Sequence, residues 1–170
     1  RPMPMLMHHD AQPLWTRGSD YGLLNQTARL RRAAAQDIQI LMTVPMPGAR
    51  DYDAAYRSGR AYERVGGLPV PPYVLGGNFV VASRCRAPWR KQLSILAAYL
   101  HFYNPLRFLG ALVRPKTAVR RADVLSQAIG MWALGRTGAR MLRWAVRLAT
   151  HRVVRATRPP ASPVCLRAPD

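Results

Sequence analysis

The amino-acid sequence predicts an α/β protein: the remnant of a partial β/α (TIM-like) barrel edge, followed by a mostly helical C-terminal extension. Two apolar runs, PMLMHHD (4–10) and DIQILMTVP (37–45), flank a stretch of helical periodicity; strand, helix and strand joined by short links mark a parallel β/α unit. From Pro88 to about residue 158 apolar residues recur at helical spacing, with breaks at Pro105 and Pro115. The chain divides accordingly into last barrel units (1–57), an irregular segment with one short strand (58–87), a helical basic extension (88–158) and a Pro-rich tail expected to be disordered (159–170).

Each element has its own grounds. In 4–10 a short apolar run ends in His8, His9 and Asp10. In YGLLNQTARLRRAAAQ (21–36), Leu24, Ala28 and the 30–34 region share one face, and Ser19 or Asp20 suits the N-cap. In 37–45, Ile38, Ile40 and Met42 alternate with Gln39 and Leu41, and Pro45 ends the run. Residues 46–82 read as mostly irregular: PMPG is a turn, GGLPVPPYVLGG is too rich in glycine and proline for helix or central strand, and NFVVAS (78–83) fits one short strand. Pro88 suits a first helical turn, after which Leu93, Leu96, Ala97, Leu100 and Tyr103 form a stripe up to the Asn104-Pro105 break. In 121–158, Leu125, Ala128, Ile129 and Trp132 lie on one face, and Met141, Leu142, Ala145, Leu148 and Ala149 continue an apolar side. Arg136, Arg140, Arg143, Arg147 and His151 step by four, three, four and four, which sets them opposite as a basic face.

The chain's 170 residues suffice for one domain with a modest core. A lone β/α unit cannot cover both faces of its strands, so the pattern reads as a piece of a larger fold whose other strands lie elsewhere. No apolar leader with a cleavage site is legible, and no run reaches the ~20 apolar residues of a spanning helix. A cytoplasmic chain, peripheral on the inner membrane face, is the expectation. Of the net charge of +18, little sits in residues 1–83, which hold nine arginines against six acids; residues 84–170 hold seventeen Lys and Arg against Asp123 and Asp170. That excess suggests an anionic partner, lipid or nucleic acid. The long apolar side of the basic helix and the lack of aromatic-rich basic loops favour a membrane surface, or a helix packed on its own protein with the arginines merely solvated, over RNA. Part of it is composition, since only Lys91 and Lys116 are lysines in an Arg- and Ala-rich chain.

Chemistry-bearing candidates follow from position. His8, His9 and Asp10 end a strand, where parallel β/α proteins place their reactive groups, and either histidine suits a proton, a substrate or a metal; the plain alternative is one core histidine and one loop histidine. Thr43, Val44, Pro45, Met46, Pro47 and Gly48 also follow a strand end and read either as a tight strand-to-loop turn, which spacing favours, or as backbone that approaches a cofactor. Asp51 and Asp53 sit at alternate loop positions, where carboxylates are usually solvated. No phosphate loop or nucleophile elbow is present. Cys85 and Cys165 form no CxxC or Cys/His cluster, so no metal site is assigned to this chain, and two free thiols are expected.

MHHDAQPLWTRGSDYGLL, then IQILMTVPMPGARDYDAAYRSG, then YVLGGNFVVASRCRAPWRKQLSILAAYLHFYNPLRFL resemble, in that order, the C-terminal third of radical S-adenosylmethionine enzymes, most nearly those with an N-terminal cobalamin-binding domain. The resemblance covers roughly residues 4–150; TVPMPG stands at the family's late Thr-Pro-x-Pro-Gly-like turn, and Phe102-Tyr103-Asn104-Pro105 at its aromatic helix end. It implies an intact relative that cleaves S-adenosylmethionine to a 5′-deoxyadenosyl radical and methylates or rearranges unactivated carbons, membrane lipids among the substrates. It implies that His8, His9 and Asp10 face the substrate cavity and that Thr43 to Gly48 line the S-adenosylmethionine or substrate side. It also suits Arg136, Arg140, Arg143 and Arg147 to docking on an anionic membrane. The chain departs from the family in having no CxxxCxxC cluster loop and no DxHxxG cobalamin motif. The [4Fe–4S] cluster, S-adenosylmethionine and cobalamin would therefore belong to the intact member; this chain alone would bind none, be inactive, and need a missing N-terminal barrel and cobalamin portion as partner. Two other classes stay open: a small basic membrane-surface or partner-binding protein without catalysis, and a nucleic-acid-binding protein.

Overall fold

In the computed structural model, which describes residues 3–70, 77–113 and 118–159, β1 (Met5–His8) and β2 (Gln39–Met42) pair in parallel, with His8 beside Met42. The crossover between them is α1 (Leu23–Arg32). The protein is thus mixed α/β, with the strand–helix–strand order that the sequence predicts. Gln39 N–H donates to Pro4 O (3.0 Å) and Thr43 N–H to His8 O (2.9 Å). Because alternate residues of a parallel strand face the same neighbour, Ile38, Ile40 and Met42 point their backbone groups away from β1.

No third strand meets them among the described residues. Instead α3 (Pro88–Phe102) lies along β2 and brings two tyrosines, one helical turn apart, to its outer edge. Ile38 N–H donates to the Tyr103 hydroxyl (2.9 Å) and Ile40 N–H to the Tyr99 hydroxyl (2.9 Å). The Tyr99 hydroxyl returns its single proton to Ile40 O (3.1 Å) or to the Asn78 side-chain oxygen (3.0 Å). Met42 N–H completes the edge on Gly77 O (2.7 Å). A buried backbone N–H left unpaired costs about 1–3 kcal/mol, so these hydroxyls do the work of a neighbouring strand.

The buried side of α3 is Gln92, Ile95, Ala98 and Phe102, rotated from the predicted stripe; Leu100 is half exposed. The reason is that α3 packs on three neighbours, α1, β2 and the long helix α5, so a single stripe does not describe it. Asn104 explains the break that follows. Its side chain donates to His101 O (2.9 Å) and accepts from Arg107 N–H (2.8 Å), closing α3 and N-capping α4 (Pro105–Val113) with Pro105 in the first turn.

Helix α5 (Ala118–Thr150) is continuous through Gly130, Gly135 and Gly138 and spans about 50 Å. Gly130 is required by packing: a Cβ there would run into the Tyr103 ring. The buried side of α5 includes Met141, Trp144, Ala145 and Leu148, and Trp144 Nε1–H donates to Val80 O (3.0 Å). Leu142 and Ala149, predicted on that side, are exposed.

Two further expectations are corrected. Residues 46–82 hold α2 (Tyr52–Arg57) and the hairpin of β3 (Tyr62–Val65) and β4 (Leu68–Pro69), with Gly66 and Gly67 at positive φ in its two-residue turn. The C-terminal extension is not helical to 158: β5 (Val153–Arg155) pairs antiparallel with β3, giving the sheet order β4-β3-β5. NFVVAS forms only a bridge at Ala82, because Gln92 Oε1 takes the Val80 N–H (2.8 Å) and Trp144 its carbonyl. The Pro-rich tail from residue 160, with Cys165, lies outside the described residues; Cys85 is half buried.

Helix α1 starts two residues later than predicted, at Leu23, with Gly22 rather than Ser19 or Asp20 as its N-cap. Ser19 Oγ accepts from Tyr21 N–H (3.1 Å), and Asp20 pairs with Arg29 on the surface (2.9 Å). Asn25 occupies the space over Gly22, bonding Thr16 N–H (3.0 Å) and Thr16 O (2.9 Å), so a Cβ at Gly22 would collide with it. At the other end Ala34 N–H reaches Arg31 O (3.1 Å) and Ala35 N–H reaches Leu30 O (3.0 Å), a Schellman closure with Ala34 in the left-handed region at φ 58°. Glycine fits that position without the Cβ clash, so Ala34→Gly should raise stability by about 0.5–1 kcal/mol after the entropy cost in the unfolded chain. Thermal denaturation checks this; an unchanged or lower Tm contradicts the assigned cap.

Candidate functional site

The register of β1 and β2 sets their C-terminal ends side by side, so His8 and Thr43, 35 residues apart, meet directly. The Thr43 backbone N–H (2.9 Å) and Oγ1–H (3.2 Å) both donate to His8 O. The turn that follows buries Pro45, exposes Met46 and closes through Ala49 N–H on Met46 O (3.0 Å). Gly48 has φ 83° and open space around it, a position for glycine on conformational grounds. Val44 and Pro47 are partly or fully accessible, and α2 begins just beyond.

His8 is completely buried. Its Nδ1 lies 2.8 Å from Gln12 Oε1. The Gln12 amide nitrogen donates to Tyr21 O (2.9 Å) and to Gln26 Oε1 (3.0 Å), which turns the amide oxygen toward His8 and puts the imidazole proton on Nδ1. The Nε2 lone pair is then a buried acceptor without a hydrogen-bond partner among the described residues. Burial holds the His8 pKa below the ordinary imidazole value. The Gln12 bond opposes this, Lys91 and His9 add to it, and Asp10 opposes it weakly. The site therefore holds a neutral imidazole with one free nitrogen, suited to accepting a hydrogen bond.

The two residues after His8 point elsewhere. His9 Nε2 lies 3.3 Å from the Tyr21 hydroxyl, with the rings tilted at 6.0 Å. Asp10 accepts from the Ser83 hydroxyl at short range and from Arg84 N–H (2.8 Å), so it anchors the 83–85 loop. From the first turn of α3, Lys91 Nζ donates to Gln12 O (2.6 Å) and His9 O (3.4 Å), binding the loop after β1 to the helix. Burial lowers the Lys91 pKa, while Cys85 and Asp10 act the other way.

The strand pairing thus brings His8 and Thr43 together, with the turn to Gly48 beside them, while His9 engages Tyr21 and Asp10 the 83–85 loop. Arg136, Arg140, Arg143 and Arg147 are all exposed on α5 and belong to a separate surface. Gln12, Ser83 and Lys91 complete the polar cluster, and the sequence pattern does not single them out. Lys91 carried a signal in being one of two lysines among 26 basic residues. Gln12 and Ser83 carried none, because their partners are distant in sequence or lie in a loop. Among the described residues no three His, Cys, Asp or Glu side chains are grouped to hold a metal ion. The two cysteines of the chain do not fit an iron–sulfur cluster, which takes three thiolates in the family motif. No family model, curated protein or solved structure matches the chain.

The depressed pKa of His8 has a defined consequence for stability. The unfolded imidazole takes up a proton near its ordinary value of about 6.5, and the folded one only at lower pH. Between those points the unfolded state binds more protons, so stability falls as pH drops through that window and levels off below the folded pKa. His101, also lowered by burial and by Arg31, acts in the same direction. Urea unfolding between about pH 7.5 and 5.5 should show this loss, and His8→Gln should make the slope shallower. A slope that His8→Gln leaves unchanged contradicts the neutral buried imidazole.

Proposed function

We propose that these residues are the closing β/α unit and C-terminal extension of a cobalamin-type radical S-adenosylmethionine enzyme, and that a preceding parallel strand pairs with β1. The observation that carries the reading is the unequal state of the two sheet edges. The outer edge of β2 is occupied by Tyr99, Tyr103 and Gly77. Beyond β1 the described residues place no strand, and Met5 and Met7 stand half exposed there. A two-stranded parallel sheet is not a self-sufficient structure, since parallel strands are normally covered on both faces and paired on both sides. The resemblance of the β1, β2 and α3 segments to the end of that family's barrel supplies the identity of what would pair there.

In this reading His8 and the Thr43 to Gly48 turn stand at the barrel mouth, where β/α enzymes hold their substrates. The part assigned to this chain is positional. His8 Nε2 supplies a buried acceptor at the strand end, Gln12 and Gln26 fix its tautomer, and Lys91 and Asp10 brace the loops on either side. The residues present do not fit the cluster or the cobalamin, and no radical step is assigned to them. Those groups come from the portion that pairs with β1.

The test is to read the coding DNA upstream of Arg1 and to express the joined product. The reading predicts an in-frame CxxxCxxC segment. The joined protein should take up a [4Fe–4S] cluster, seen in its visible absorption, and with a reductant should release 5′-deoxyadenosine from S-adenosylmethionine. The 170-residue chain alone should do neither. A frame without that motif, or a joined protein that binds no cluster, overturns the proposal.

A further inference from the structure

The long helix α5 carries one continuous solvent-facing strip: Leu125, Ile129 and Trp132, then Arg136, Arg140, Arg143 and Arg147, in steps of four, three, four, four, three and four. Its first half is apolar and its second half cationic. The sequence suggested instead that the arginines lie opposite a membrane-facing side containing Met141 and Leu148. That side is consumed by the core, where Met141, Trp144, Ala145 and Leu148 are buried. Any lipid contact must therefore use other residues.

The apolar half of the strip is markedly open, with Leu125 62 %, Ile129 56 % and Trp132 63 % exposed. It does not stand alone. Helix α4 packs against α5 and exposes Leu106 (81 %), Leu109 (53 %) and Val113 (78 %). With the half-exposed Leu112, seven large apolar side chains thus stand open on two packed helices at one end of α5. Where the apolar half of the strip meets the cationic half, the Arg136 guanidinium lies over the Trp132 ring at 5.1 Å, an indole beside a cation as at a bilayer interface.

We propose that this surface docks obliquely on an anionic bilayer, with the α4 and α5 side chains entering the acyl boundary and the four arginines lying among the headgroups. The charge pattern selects this occupant. A second copy would bring together two halves that each carry a net excess of fifteen positive charges over residues 84–170. Nucleic acid satisfies the arginines and leaves the leucines, isoleucine and valine without a partner. An anionic bilayer satisfies both, since apolar burial and headgroup attraction add in interfacial helices. Among the described residues no helix is long and apolar enough to cross a membrane, so the contact is with its surface. The inference is independent of the strand pairing proposed above.

The experiment is co-sedimentation of the 170-residue chain with vesicles of phosphatidylcholine, with and without phosphatidylserine. Binding should require phosphatidylserine and weaken with salt. Ile129→Ser/Trp132→Ser alters only exposed side chains and should weaken binding by at least about tenfold. Arg140→Gln/Arg147→Gln should weaken it by at least about tenfold, at about fivefold per arginine. Leu142→Ser/Val146→Ser removes two exposed apolar residues beside the strip and should change binding less than about twofold. Circular dichroism confirms that each variant remains folded. Equal binding to neutral and anionic vesicles overturns the proposal, as does a larger loss from Leu142→Ser/Val146→Ser than from Ile129→Ser/Trp132→Ser. So do self-association abolished by Ile129→Ser/Trp132→Ser without lipid binding, and binding to an RNA duplex as tight as to anionic vesicles.

Discussion

Two tyrosine hydroxyls, one helical turn apart on α3, occupy the edge of β2 that another strand would otherwise take. Everything else in the structure is arranged around that substitution. To place Tyr99 and Tyr103 on β2, α3 must run along the strand, and that fixes α3 between α1 and α5. Tyr103 in turn demands a bare backbone on α5, which Gly130 provides. Asn104 must then end α3 at once and start α4 in a new direction. One edge-sealing requirement therefore sets the course of three helices. Its energetic basis is modest per bond and steep per loss: a net hydrogen bond is worth about 1 kcal/mol, but an abandoned buried N–H costs more.

The same seal decides where chemistry and partners sit. With β2 closed on its outer side, β1 carries the sheet's other edge, and the strand ends bearing His8 and Thr43 lie side by side. The basic strip of α5 is exposed because α5 spends its buried side on α3 and Val80. The polar cluster is neutral at its centre, a buried imidazole tuned by an amide, while four arginines line the exposed side of α5. These are different surfaces with different demands on their residues. The first needs fixed tautomers and braced loops. The second needs exposed side chains in one line.

Much of the first unit was legible. Ile38, Ile40 and Met42 alternate because one strand face and one edge are buried, and period-two burial leaves a plain trace in sequence. The breaks at Pro88 and Pro105 were equally plain, since proline states its own backbone preference. What stayed hidden depends on distant pairing. β5 pairs with β3 across about ninety residues, and three residues of alternation cannot announce such a partner. The buried face of α3 is not legible because a helix packed on three sides has no single stripe, and the outer strip of α5 reads as a core face because Leu125, Ile129 and Trp132, though exposed, are apolar at helical spacing. At the site, the strand-end positions of His8 and Thr43 could be read, whereas Gln12 and Ser83 join only through folded contacts.

Amide hydrogen exchange resolved by residue tests the closed-and-open sheet most directly. The Ile38 and Ile40 amides, held by Tyr103 and Tyr99, should be strongly protected, and the Met5 and Met7 amides on the free side of β1 should exchange rapidly. In Tyr99→Phe, protection at Ile40 should fall while the amides of α5 keep theirs. Slow exchange at Met5 and Met7, or protection at Ile40 unaltered by Tyr99→Phe, would contradict the account.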